Sequence, residues 1–312
     1  LGGRVFEIPP YQHVLAYQRE LHRLFIQEGW KIVHSHINAL SVFPLRAAKK
    51  AGVPVRIAHS HSTSGKGEYA KNALKAVLKT QSNRYPTHRF ACSKFAGDWL
   101  FGPSSQFVVM RNAIDLSLFA PDVEDRLKTR RSLGVADDQL LVGHIGRFTE
   151  QKNHSYLLEI FDQVLKIRKN AVLALVGSGP LVEQIKDQAD CLGISQSVRF
   201  LGTRSDAASL YRAFDVFCLP SLYEGLPMVG VECQASHTPI LASDAVTSEA
   251  AVTSMMQFEP LSSSCLKWAE RLIELSTKVC APGDDAGLQV FEIDAAARVL
   301  LDCYMSYLGS AD

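Results

Sequence analysis

Twice along this chain, short apolar runs alternate with segments whose apolar residues recur at helical spacing. A short apolar run bounded by turn residues reads as a strand buried on both faces, and a helix-period segment between two such runs reads as a crossover. That rhythm commits the chain to parallel pairing, because parallel strands need a crossover and antiparallel ones do not. The first series has strands at 5–8, 31–34, 55–58, 89–92 and 106–110, separated by helices at 14–27, about 40–51, 69–80 and 94–101. The second has strands at 140–145, 171–176, 198–201, 216–219 and 240–243, with helices at 155–168, 181–191, 207–213 and one after Pro227. Helices at about 263–279 and 292–308 close the chain. The stretch 111–137 breaks the rhythm and holds the connection between the two series. The expected fold is α/β: two Rossmann-like domains facing a cleft, divided as 1–125 and 126–312. The helix 292–309 is expected to rejoin the first domain. Ligands of such sheets bind at the carboxyl ends of the strands.

A length of 312 residues also suits two domains. The net charge of +1 leaves no global footprint for nucleic acid. Seven scattered cysteines without a CxxC read as reduced thiols in a cytoplasmic protein. No apolar run is long enough to span a bilayer, and no stretch reads as a signal peptide. Lys71, Lys75 and Lys79 share one side of the helix 69–80. That face reads as a solvated one, with peripheral contact to anionic lipid or a lipid diphosphate at the inner membrane face as the alternative.

The stretch Asp215–Ser236, DVFCLPSLYEGLPMVGVECQAS, concentrates the chemistry. A buried strand ends at Pro220-Ser221, and Glu224-Gly225-Leu226-Pro227 leads into a helix with Pro227 at its first position. Met228 and Val229 follow, and Glu232 lies eight residues after Glu224. The backbone N–H groups at a helix start attract an anion. Two carboxylates can hold hydroxyls while those amides hold a phosphate, which together would seat a sugar, a ribose and the diphosphate joining them. Two glutamates eight apart are, taken alone, more often solvated surface groups.

Other candidates also follow strand ends. Gly146 ends a strand, and Arg147 and Lys152 follow within one loop, where fixed cations can meet charge developing on a leaving diphosphate. The ordinary alternative is a pair of surface cations near a helix start. His144, inside an apolar strand, reads as a core histidine, Asn153 as a helix cap and Asp206 as another. Gly177-Ser178-Gly179 reads as a tight strand-to-helix turn, since a lone GxG says little about phosphate. Two histidine pairs, His34/His36 and His59/His61, follow strands of the first series. Histidines two apart suggest metal ligands, but no carboxylate or cysteine cluster accompanies them, and the expectation is no metal. Capping and other structural roles suit His34 and His36 equally.

The motifs PSxxEGLPxxxxE, GRxxxxK (146–152), ACSKFAGDWLFG (91–102) and RNAIDLSLF (111–119) together resemble the retaining GT-B glycosyltransferases of family four, in the branch that builds exopolysaccharide and capsule. The resemblance covers nearly all of the chain. It implies that Glu224 contacts donor-sugar hydroxyls, that Glu232 holds the ribose diol, and that Arg147 and Lys152 clamp the diphosphate. It implies that the backbone of Gly202-Thr203-Arg204 meets the nucleotide base. A loop histidine near the donor sugar matches His61-Ser62-Thr63 best, with His59 second. The implied reaction moves a sugar from a nucleoside-diphosphate sugar, uridine-linked, to a growing saccharide or lipid-linked glycan. Configuration is retained, and neither metal nor cofactor takes part. A nucleotide-sugar epimerase on the same plan, or a non-catalytic nucleotide-sugar binder, are the rivals. The family opens with a strand and glycine-rich loop before the point where this chain starts, so the first domain is expected to be incomplete, with an exposed sheet edge. His237 stands where the family usually ends a helix with glycine, and a left-handed conformation is expected there.

Overall fold

The computed structural model describes residues 2–61 and 75–310. It divides into two compact units, Leu1–Asn112 with Ala295–Asp312, and Ala113–Asp294.

The first unit carries a four-stranded sheet in the order β1-β2-β3-β4, with β1 at Ile32–Ser35, β2 at Val55–Ser60, β3 at His88–Ala91 and β4 at Val108–Val109. Every pair is parallel. The helices Val14–Glu28, Val42–Lys50 and Lys94–Phe101 pack with it, and Gly29 in a left-handed conformation ends the first. The expected strand at 5–8 does not form. No described strand lies beyond β1 to pair with it. Phe6 instead sets its ring against Trp30, with centroids 5.6 Å apart, and Arg4 bonds Glu28 at 2.8 Å. The helix Ile293–Gly309 lays Leu300, Tyr304 and Tyr307 against Val55, Ile57 and Phe90 of this unit. Of the expected helix 69–80, residues 69–74, with Lys71, lie outside the described residues.

The second unit carries six parallel strands in the order β10-β9-β8-β5-β6-β7. Their ranges are β5 Leu141–Ile145, β6 Val172–Val176, β7 Val198–Gly202, β8 Val216–Leu219, β9 Ile240–Ser243 and β10 Met256–Glu259. Alternate residues serve opposite faces. Leu141, Ala174, Phe217 and Ala242 join one apolar layer, while Val142, Leu173, Cys218 and Leu241 join the other. Counted from β5, the order is that of the dinucleotide-binding sheets, which reverse direction between their first and fourth strands. Here that reversal lies between β5 and β8, paired at Val142↔Val216 and Gly143↔Phe217.

The boundary falls at 112/113 instead of 125/126. Residues after 112 pack with the second unit: Ile114 and Phe119 enter its core, and the Arg212 guanidinium donates to the Ala120 carbonyl at 2.7 Å. The stretch read as a break contains the helix Val123–Ser132, capped by the Asp122 carboxylate on the Asp125 N–H at 2.9 Å. Charge anchors this helix. Arg126 and the fully buried Arg130 both pair with Asp215, Arg130 at 3.0 Å, and Asp215 also accepts from the Leu141 N–H at 2.7 Å. One carboxylate thus ties the helix to the starts of β5 and β8.

Candidate active site

The crevice at the β5/β8 reversal is furnished by two loops. After β5, Gly146 and Arg147 lead into the single turn Glu150–Lys152. After β8, Pro220 to Pro227 lead into the helix Met228–Ala235. The loops are bonded to each other. The Leu222 N–H donates to the Gln151 carbonyl at 2.8 Å, and Gln151 Nε2 donates to the Tyr223 carbonyl at 3.0 Å and to Glu224 Oε2 at 3.2 Å. Lys152 Nζ donates to Glu224 Oε1 at 2.6 Å, with both side chains mostly buried. So two residues that the sequence places 72 apart form one ion pair.

Arg147 is exposed and, among the described residues, its guanidinium has no ion-pair or hydrogen-bond partner. An unpaired cation just after a strand end is suited to an anion. Pro227 occupies the cap position, one residue earlier than expected, and Met228 and Val229 supply the first N–H groups of the helix. First-turn N–H groups have no acceptor within their own helix. Glu232, on the next turn, accepts from Tyr211 Oη at 2.8 Å. Burial raises the Glu232 carboxyl above its ordinary range, while the bond from Tyr211 pulls it down.

Glycine keeps this rim narrow. A Cβ on Gly146 would stand 2.9 Å from His144 Nε2 and 3.3 Å from the Lys152 stem. Gly177 has φ +136°, and a Cβ there would meet the Gly146 carbonyl oxygen at 2.1 Å. Gly177-Ser178-Gly179 is therefore the close turn expected, main chain against main chain. The Gly202 carbonyl, at the end of β7, accepts from the Gly177 N–H at 2.8 Å, so the loop Gly202, Thr203, Arg204 adjoins the same rim.

His144 is fully buried and donates from Nδ1 to the Cys218 carbonyl at 2.8 Å, a core role as expected. Two capping expectations fail. Asn153 has the cap position, but its Nδ2 donates to the Pro220 carbonyl at 3.1 Å and helps hold the β8 loop. Asp206 makes no capping bond because Arg204 takes both its oxygens, at 2.8 and 2.6 Å. His237 takes φ +54°, the left-handed conformation expected, and its Nε2 lies 3.0 Å from Asp285.

In the first unit, the register of β1 on β2 sets His34 opposite Ile57 and carries the histidine pairs to one face at the strand ends. His34 Nε2 lies 3.2 Å from His59 Nδ1, and His36 Nδ1 lies 2.8 Å from His61 Nε2. The His61 N–H donates to Asn38 Oδ1 at 2.7 Å, and its side chain bonds Asn112. Ser62 and Thr63 lie outside the described residues. Either histidine pair taken by itself gives no sign of the four-histidine juxtaposition. The signal was present: two HxH triplets at equivalent ends of consecutive parallel strands share a face.

The chain belongs to the group 1 glycosyl transferases, a family with the GT-B fold. The family model, "Glycosyl transferases group 1", matches residues 125–255, which include both loops of the crevice. EpsF of Bacillus subtilis (strain 168), a glycosyltransferase by name, is 37% identical over 286 residues, 87% of this chain and 73% of that protein. The Escherichia coli UDP-Gal:alpha-D-GlcNAc-diphosphoundecaprenol alpha-1,3-galactosyltransferase is 28% identical over 235 residues, 72% of this chain and 60% of that one. Among solved structures, Anabaena HepE in complex with UDP-glucose superposes with TM-score 0.81 at 19% identity, covering 97% of this chain and 85% of that one. Sucrose-phosphate synthase from Thermosynechococcus elongatus does so with TM-score 0.82 at 18% identity, covering 99% and 82%. These structural likenesses concern the fold. The protein is a glycosyltransferase, and the epimerase reading is set aside.

Proposed function

We propose that the enzyme transfers a sugar, with retention, from a uridine-diphosphate sugar to a growing saccharide or lipid-linked glycan in exopolysaccharide synthesis. One observation carries this reading: an unpartnered Arg147, Lys152, the first amides of the helix Met228–Ala235 and two carboxylates gather at the sheet reversal. Arg147, Lys152 and the Met228 and Val229 amides meet the diphosphate charge, so the reading needs neither a metal at the phosphate nor a cofactor. Glu224 holds donor-sugar hydroxyls and Glu232 the ribose diol. Gly225 and Leu226 shape the approach, and the main chain of Gly146 and of Gly202 to Arg204 borders phosphate and base. His61 takes the sugar-side role that the family resemblance implies. As the bond from the anomeric carbon to the phosphate oxygen breaks, the acceptor oxygen bonds that carbon on the same face. The acceptor proton passes to the leaving phosphate.

The uridine donor and the lipid-linked acceptor are supported by the names of the E. coli relative and the HepE complex. No helix among the described residues is long and apolar enough to cross a membrane. A cytoplasmic enzyme meeting a lipid-linked acceptor peripherally accords with that. The test is transfer from a panel of nucleotide sugars by the unaltered chain, Glu224→Ala and Arg147→Ala, with product configuration read by NMR. Loss in both variants is expected. Unchanged turnover in both rejects the roles, and UDP binding without turnover by the unaltered chain favours the non-catalytic binder.

A further inference from the structure

The histidines at the ends of β1 and β2 form a closed group. Ring centroids lie 4.1 Å apart for His34–His36, 5.1 Å for His36–His61, 4.0 Å for His59–His61 and 5.2 Å for His34–His59. Ligating atoms of His34, His36 and His59 all fall within 4.8 Å of one another. We propose that this group is a binding site for one borderline transition-metal ion, of which Zn²⁺ is the type, held by His34, His36, His59 and His61.

Three features support it besides proximity. The first is spacing. Two nitrogens on a tetrahedral Zn²⁺ with bonds of about 2.0–2.1 Å stand about 3.3 Å apart. His34 Nε2 and His59 Nδ1 are already 3.2 Å apart. The His36–His61 contact, at 2.8 Å, needs to open by about half an ångström.

The second is orientation by outer partners. A metal-bound histidine usually bonds through its other ring nitrogen to a fixed oxygen, which sets tautomer and ring plane. His59 Nε2 donates to the Met110 carbonyl at 3.3 Å, leaving Nδ1 as the lone pair turned inward. His34 Nδ1 lies 2.7 Å from Tyr304 Oη, leaving Nε2 for the same point. In the metal-free protein one proton fills the gap, with His34 Nε2–H donating to His59 Nδ1. Loading the site moves that proton to His34 Nδ1, where Tyr304 Oη accepts it, while Tyr304 turns its own proton away.

The third is access. His59 is buried while His36 is exposed, so an ion reaches the group from the His36 side. His61 is also the residue given the sugar-side role in the proposed reaction, but the metal site is argued from the geometry of the group and does not rest on that reaction.

The test is titration of the full, tag-free chain with Co²⁺ alone, read by visible absorption, then displacement by Zn²⁺. One equivalent with the intense bands of a tetrahedral ion is expected. His34→Gln and His36→Gln should each weaken binding at least ~100-fold, and Tyr304→Phe, a positioning change, by ~10-fold with the bands retained. His59 is buried, so the exposed His36 supplies the decisive variant. Thermal melting checks its fold. Absence of stoichiometric binding overturns the proposal. So does binding that survives His36→Gln and His34→Gln yet is lost in Cys280→Ser, which would place the ion at the half-buried group His237, Cys280 and Asp285.

Discussion

Lys152 Nζ and Glu224 Oε1 stand 2.6 Å apart, each at the tip of a different loop and each mostly withdrawn from water. The pair holds the β5 and β8 loops in fixed relation before any donor arrives. Preformed charge of this kind costs no reorganisation when a diphosphate binds. Lys152→Ala leaves Glu224 without its cation, and Glu224→Ala does the reverse. Each single variant is expected to lose about 1–3 kcal/mol of stability, and the double variant less than their sum. Urea denaturation of the four proteins measures the coupling.

Arg130 is the fully buried cation of the second unit, bonded to Asp215 and to the Ala213, Ala136 and Gln139 carbonyls. Removing it takes one of two cations from Asp215, which keeps Arg126 and the Leu141 N–H, and withdraws a buried donor from three carbonyls. Arg130→Ala should cost about 3–5 kcal/mol, and Arg130→Lys most of that, since an ammonium cannot fork to four oxygens. Chemical denaturation reads both.

His154 is buried against Phe148, with centroids 4.1 Å apart, and neither ring nitrogen has a hydrogen-bond partner. Burial first, then the Lys152 charge, lowers it from 6.5 to about 4. The unfolded chain therefore takes up this proton at a higher pH than the folded one. Stability from this group is complete above pH 6.5, falls as pH drops toward 4, and is level below, a loss of about 3 kcal/mol. His144, set nearly perpendicular to His154 with centroids 4.7 Å apart and also depressed by burial, adds to the same slope. His154→Phe should match the parent at pH 7 and lose less between pH 6.5 and 4, read from urea midpoints.

Glu232 carries the raised carboxyl, and the Tyr211 hydroxyl favours its charged form. If it holds the ribose diol as carboxylate, UDP affinity falls on acidification sooner than an ordinary glutamate would dictate. Tyr211→Phe withdraws the favouring bond, so the inflection should move to higher pH and affinity at neutral pH should drop ~10-fold. Calorimetry of UDP binding against pH measures both. An inflection that stays in place separates Glu232 from the ribose.

The second unit was largely legible because its strands are continuous apolar runs ending in glycine or proline, and its loops carry cations and carboxylates directly after them. The helix Val123–Ser132 was not, because VEDRLKTRRS has too few apolar residues to show a period and is anchored through Arg126 and Arg130 instead. β10, MQFE, was missed because two of its four residues are polar and it lies at a sheet edge. Segment 5–8 has strand composition without a partner strand, and pairing is a tertiary fact that composition does not encode. Within the site, Arg147, Lys152, Glu224 and Glu232 were visible as residue types at strand ends. That Lys152 bonds Glu224 was not, since it depends on β5 and β8 being neighbours.

The glycine turns of the rim have a consequence for motion. The Gly146 N–H donates to the Val176 carbonyl, the Phe148 N–H to that of Ser178 and the Gly177 N–H to that of Gly202. Three loops bonded main chain to main chain in this way are expected to open together. Deuterium should enter the Gly146, Phe148 and Gly177 amides at a common rate, and a nucleotide seated on any one of them should slow all three together.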